Sequence, residues 1–360
     1  MKLDKNITTI MKGYGILIIA LHNLLHLGSI TNFVHENEFT YSAQRTWDYI
    51  DVIRSFDLSD IGQFFSFMGP IVLPIFIFTS GYGLVKKFEN NSDFNIGKHV
   101  FHSWKKLFLL LLPAALFFIM LSFIVGDWRS VVPKTLLQFT LLNNFVIPKI
   151  EFSPGVYWYF SLTFEFYLLY ILIRRWNVKQ LLFLLCGMLV VQVLAICFLG
   201  GPTSDIWLWI KHNFIGWGQI FLMGMIVAKA DWDKYVPSNS ILLLSLAVAC
   251  LFLFLVLQLN VWTWLLIVPF VALLFNIFLS GAINNTVVLK KLFVWLGNYS
   301  SFIFVAHPVA RSIVLSLYER FCMPLWLMTL FYTVLFILGA IIYKPIYQWL
   351  MSSIKFVKQD

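Results

Sequence analysis

Ten long apolar runs alternate with short polar segments along the chain of 360 residues. They fall at 10–30, 61–85, 107–125, 156–173, 181–199, 206–228, 241–257, 262–279, 292–315 and 325–350. Each is close to the ~20 residues a helix needs to cross a bilayer's hydrocarbon core. Backbone groups find no water to bond in lipid, and these runs are too long for barrel strands, so each is predicted to be a helix. The fold class expected is all-α, a polytopic membrane bundle of about ten transmembrane helices. No repeat, low-complexity tract or linker interrupts the series, so residues 1–360 are read as a single domain.

Composition supports the same picture. Apolar residues make up 60% of the chain and charged ones 12%, against roughly 45–50% and 25% in soluble domains. A water-soluble protein of this length has too little interior to hide that excess. The net charge of +9 raises nucleic-acid binding as a class, but the cations cluster at the ends of apolar runs, where they set membrane orientation instead. With the N-terminus inside, eighteen Lys and Arg fall in inner segments and eight in outer ones. That bias predicts both termini in the cytoplasm, and an odd number of spans would break it. The basic start followed by an apolar run resembles a secretory signal. The run's length, its two histidines and the lack of a small-residue cleavage site favour a retained first span. Cys186, Cys197, Cys250 and Cys322 form no Cys-x-x-Cys pair and are read as small apolar residues.

Two outer segments are long. In 31–60, Trp47, Ile50, Ile53 and Phe56 recur at helical spacing opposite Asp48, Asp51 and Arg54. That pattern predicts an amphipathic helix over 42–57 lying in the outer interface, or a lid over a polar ligand. The second, 127–153, carries Asn143 and Asn144 and runs into a Pro154–Gly155 turn.

Ionisable side chains inside spans cost at least ~2.5 kcal/mol near the bilayer centre, so each is a functional candidate. His22 lies ten residues after Lys12, about 15 Å along a helix axis. His26 follows one turn later on the same face. Three readings stay open for this pair: hydrogen bonds to neighbouring helices, a metal site unsupported by any other ligand cluster, or a general base. In the ninth run His307 precedes Arg311 by one turn, and Arg311 is either functional or snorkels to headgroups. Glu165, in the fourth run, needs a partner, a proton or a wet cavity. Lys211, His212 and Asn213 mark the outer part of the sixth run. His99 and His102, with Lys98, Lys105 and Lys106, form an inner basic stretch suited to anionic lipid or to an anionic donor.

Four segments then resemble the acyltransferase-3 family of membrane acyltransferases, which modify bacterial surface glycans. They are KGYGILIIALHN, from Lys12 to Asn23, FTSGYGL, from Phe78 to Leu84, WYFSLTFEFYLLY, from Trp158 to Tyr170, and LGNYSSFIFVAHPV, from Leu296 to Val309. Their order matches the family and they span most of the length. Lys12 and His22 enclose nine residues where the family has ten, and Glu165 stands where the family has glutamine. Proline directly follows His307 instead of standing one residue further on.

The resemblance implies transfer of an acyl group, acetyl in the simplest case, from cytoplasmic acyl-CoA to a glycan hydroxyl. It implies a multi-pass protein of the bacterial inner membrane, with the bilayer, acyl-CoA and a glycan or lipid-linked sugar as partners. No nucleic acid, metal or tightly bound cofactor is expected. His22 is the expected base, with Asn23, His307 and Glu165 completing the catalytic set. Lys12, Lys105, Lys106 and Tyr82 are assigned to the donor, and Arg311, Trp158 and His26 to the acceptor. The alternative is a transporter, a flippase-like protein or a silent relative that handles a lipid-linked sugar.

Overall fold

A computed structural model of the protein describes residues 3–27, 30, 38–55, 61–89, 94–146 and 155–353. Among these residues every regular element is helical, so the chain is an all-α polytopic bundle. In chain order the helices are α1 (Lys5–Leu25), α2 (Ala43–Arg54), α3 (Ile61–Phe65), α4 (Gly69–Phe88) and α5 (Ile96–Val125). Next come α6 (Trp128–Thr140), α7 (Trp158–Ile173), α8 (Val178–Phe198), α9 (Asp205–His212) and α10 (Phe214–Ala230). The series closes with α11 (Ser240–Leu257), α12 (Val261–Leu266), α13 (Val268–Asn284), α14 (Val287–Phe321) and α15 (Leu325–Ser353).

Among the described residues, eight helices are long and apolar enough to cross a membrane. The predicted series of ten differs from this where polar residues or proline interrupt a run. The sixth run breaks at Asn213, whose backbone is extended and whose side chain caps Ile215 N at 3.0 Å. The second breaks ahead of Pro70 and the eighth ahead of Pro269, each standing in the first turn of the helix that follows, where its missing N–H costs no intrahelical bond. As a result α10 and α13 are each 17 residues long.

The amphipathic segment does form a helix, α2, but the face it buries is not the predicted apolar stripe. Arg45, Thr46, Tyr49 and Val52 point inward, while Trp47 and Ile53 stay exposed. Arg45 explains the choice: its Nη2 donates to Ser66 Oγ at 2.7 Å and its guanidinium lies over Phe67. The Trp47 face is thereby left for the interface. Phe56 lies outside the described residues.

The chain divides into two compact units, each assembled from separate segments. The first comprises Met1–Phe94, Ile147–Lys149 and Glu165–Asn298. Here α4 is buried from Gly69 to Ile75 and packs against α1, α10 and α13. The outer helix α11 turns Leu243, Ala247 and Phe254 inward and leaves Leu242, Leu244, Val248 and Phe252 exposed. An apolar exterior of that kind is stable only against lipid.

Polar side chains tie the interior where hydrophobic contrast is absent. Asn276 donates to Ile71 O and Ala272 O, both at 2.6 Å, and Tyr14 donates to Asn276 at 3.0 Å. Close helix crossings use glycine. A Cβ on Gly81 would strike Phe221 O, and one on Gly224 would strike Phe78 O, so α4 and α10 touch backbone to backbone. The Gly81→Val variant is expected to lose about 1–3 kcal/mol through overpacking. Thermal unfolding in detergent should show a lowered midpoint, and an unchanged one would contradict the crossing. Gly13 and Gly297 play the same part between α1 and α14.

The second unit comprises Asn95–Val146, Ile150–Phe164 and Tyr299–Asp360. Within it, Tyr343 donates to the Leu110 carbonyl and lies 3.0 Å from Leu109 O, tying α15 to α5. Tyr157 donates to Val305 O at 2.9 Å.

Candidate active site

Several predicted residues gather in the first unit, around the C-terminal end of α1. His22 is buried, at 2% exposure. Its Nδ1 lies 3.3 Å from Phe65 O. A carbonyl only accepts, so in the neutral ring this contact places the proton on Nδ1 and the lone pair on Nε2. Nε2 faces Glu38 Oε2 at 3.7 Å. The ring of His26 stacks on that of His22 at 4.7 Å, and its Nδ1 donates to His22 O at 2.8 Å. Asn23 turns its amide back to Ile19 O at 3.0 Å, along its own helix.

Glu38 is itself buried, at 7% exposure. Helix α9 holds its segment in place: Trp207 Nε1 donates to Phe39 O at 2.8 Å, and His212 stacks on Phe39 at 4.5 Å. The N-terminus of α4 closes the other side. A Cβ on Gly69 would lie 2.7 Å from His22 Nε2 and would clash with Glu38 Oε2. Only a glycine lets α4 approach the pair this closely.

Lys211 carries the compensating charge. Buried at 3% exposure, its Nζ lies 4.3 Å from the Trp217 ring and 5.5 Å from the rings of Trp207 and Trp264. It donates to Gly216 O at 3.4 Å and interacts electrostatically with Glu38. Burial among the three indoles disfavours the Lys211 ammonium, and the nearby Glu38 carboxylate acts the other way, towards the charged form. Tyr49, on the neighbouring α2, is pushed up in pKa by burial and remains a neutral phenol.

Glu165 finds its partner at a helix end. Its Oε2 accepts from Phe214 N at 2.7 Å, at the N-terminus of α10 where backbone N–H groups favour negative charge. Tyr82 is engaged in a clasp: its hydroxyl donates to Leu3 O at 2.8 Å and lies 3.2 Å from Asp233 Oδ2, which also accepts from Leu3 N at 3.0 Å. Lys12 is half-buried on α1.

The remaining predicted residues belong to the second unit. His307 is fully buried and Nδ1 lies 3.3 Å from Ile303 O. Pro308 lacks an N–H, which leaves the Phe304 carbonyl without its helical donor, and His307 interacts with the backbone of Phe304 as well. Nε2 of His307 has no hydrogen-bond partner among the described residues. Arg311, half-buried, acts electrostatically on His307 and Tyr157. Trp158 is buried, and its carbonyl accepts from Asn144 at 3.2 Å. On α5, Lys105 is half-buried and Lys106 exposed.

Sequence reasoning missed Glu38, Gly69 and the indole cage. Glu38 sits in a polar segment with Glu36 close by, and no local pattern separates the two. Gly69 precedes Pro70 and reads only as a helix start.

A family model described as an acyltransferase domain matches residues 10–344, nearly the whole chain. No curated protein and no solved structure matches the chain.

Proposed function

Because the chain belongs to the acyltransferase-3 family, we propose that it transfers an acyl group, acetyl in the simplest case, from acyl-CoA to a glycan hydroxyl. The acceptor is a cell-surface or lipid-linked glycan, and the protein works as a multi-pass enzyme of the bacterial plasma membrane, with both termini cytoplasmic. The observation that carries this reading is the buried His22, whose Nδ1 is committed to Phe65 O so that Nε2 is the basic nitrogen. In the reaction Nε2 takes the acceptor's hydroxyl proton while that oxygen attacks the thioester carbonyl. The tetrahedral intermediate collapses to the ester and expels the thiolate of coenzyme A, which receives the proton back from Nε2. The donor's phosphates call for cations, for which Lys12 on α1 and Lys105 and Lys106 on α5 are the candidates.

The test is direct. Purified protein in detergent is expected to bind radiolabelled acetyl-CoA. Surface polysaccharide from cells with the protein is expected to be heavier, by whole acyl units, than polysaccharide from cells without it. No donor binding together with identical glycan masses would reject the enzyme in favour of a transporter-like or silent protein.

A further inference from the structure

The imidazole–carboxylate pair goes beyond the base itself. A lone imidazole that accepts a proton in a dry site becomes a buried cation, which is costly unless a counter-charge is already in place. Glu38 Oε2 lies 3.7 Å from His22 Nε2, the nitrogen that would gain the proton, and both side chains are withdrawn from solvent. We propose that Glu38 is the positioning residue of the reaction: with the neutral ring held at Phe65 O, its carboxylate stabilises the imidazolium formed as the hydroxyl proton is taken. This rests on the acyl-transfer reading above.

Three features surround Glu38 and its segment. Lys211, fixed among Trp207, Trp217 and Trp264, interacts with it electrostatically. The positive end of the 20-residue α4 abuts its carboxylate at Gly69. The adjoining Phe39 is clamped between the Trp207 indole N–H and the His212 ring. Among the described residues, Glu38 lies opposite His22 Nε2, His26 is stacked on the ring, and Lys211 acts on Glu38. Removing the carboxylate takes away the negative charge opposite Nε2. The consequence falls on turnover and not on donor binding.

The experiment is a double-mutant cycle with acyl-CoA and the acceptor glycan, using full-length protein in nanodiscs. Glu38→Gln is expected to lower kcat about 10- to 100-fold with the KM for acyl-CoA within about twofold, a smaller loss than that of the base itself. Glu38→Asp, which keeps the charge, is expected to recover most of the rate. In a His22→Ala background, Glu38→Gln is expected to cost nothing further, because a residue that acts through another has no effect once that one is gone. A wild-type kcat in Glu38→Gln, or an equal loss with and without His22, overturns the assignment. If the glutamine variant does not fold, the aspartate variant serves alone: a kcat within about tenfold of wild type at constant KM supports the role of the charge, and a loss as large as that of His22→Ala rejects it. Wild-type protein that transfers no acyl group refutes the acyl-transfer reading itself, so the two failures are distinguishable.

Discussion

Replacing His22 with alanine is expected to reduce acyl transfer by about 10²- to 10⁴-fold, the range supplied by a positioned general base. The side chain is buried, and its contacts include a backbone carbonyl, a carboxylate and a stacked ring. Alanine keeps the α1 helix and even favours it. The loss should therefore appear in kcat, with the variant still inserted in the membrane and still binding acyl-CoA. Mass analysis of the glycan gives the readout in cells, and a rate assay with labelled acyl-CoA gives it in nanodiscs. Acylation at the wild-type level would remove His22 from the mechanism.

The second large effect is expected at a residue with no side chain. In most helices Gly→Ala stabilises by roughly 0.5–1 kcal/mol. At Gly69 the new Cβ would sit 2.7 Å from His22 Nε2 and collide with Glu38 Oε2. Neither neighbour can retreat freely. His22 is held at Phe65 O and against His26, and the Glu38 segment is pinned at Phe39 by α9. Shifts of a few tenths of an ångström to 1 Å at reacting groups cost up to about 10²-fold in rate. Gly69→Ala is thus predicted to keep its melting midpoint within a few degrees while activity falls by one to two orders of magnitude. Full activity in this variant would show that α4 does not press on the pair.

Gly81 and Gly224 make an informative contrast. Their hypothetical Cβ atoms meet backbone carbonyls of the opposite helix, far in kind from any reacting group. Substitution there should act on stability first, and on rate only as the bundle loosens. Measuring both quantities for Gly69 and Gly81 variants separates a packing glycine from a site glycine.

Much of the scaffold could be read before any coordinates. The apolar runs located the long helices, and α7, α8, α11 and α15 match their runs closely, because lipid obliges every backbone group to pair locally and the pattern is local too. Helix α5 begins at Ile96, well before its run, because its first turns are amphipathic and basic. His22, His307 and Glu165 stood out because ionisable groups are rare in such runs. The break ahead of Pro269 was less visible, since its neighbours Ile267 and Val268 are as apolar as those inside an unbroken span.

What the chain alone determined is its class: a helical membrane protein of the acyltransferase-3 family with a histidine deep in its first helix. Those properties follow from hydropathy, charge placement and short motifs, each confined to a stretch of neighbouring residues. Only the tertiary structure decided which carboxylate faces that histidine, that Lys211 answers the carboxylate's charge from within three indoles, and that Gly69 must stay bare. These are contacts between segments far apart in the chain. Their energies depend on burial and direction, which no local pattern encodes.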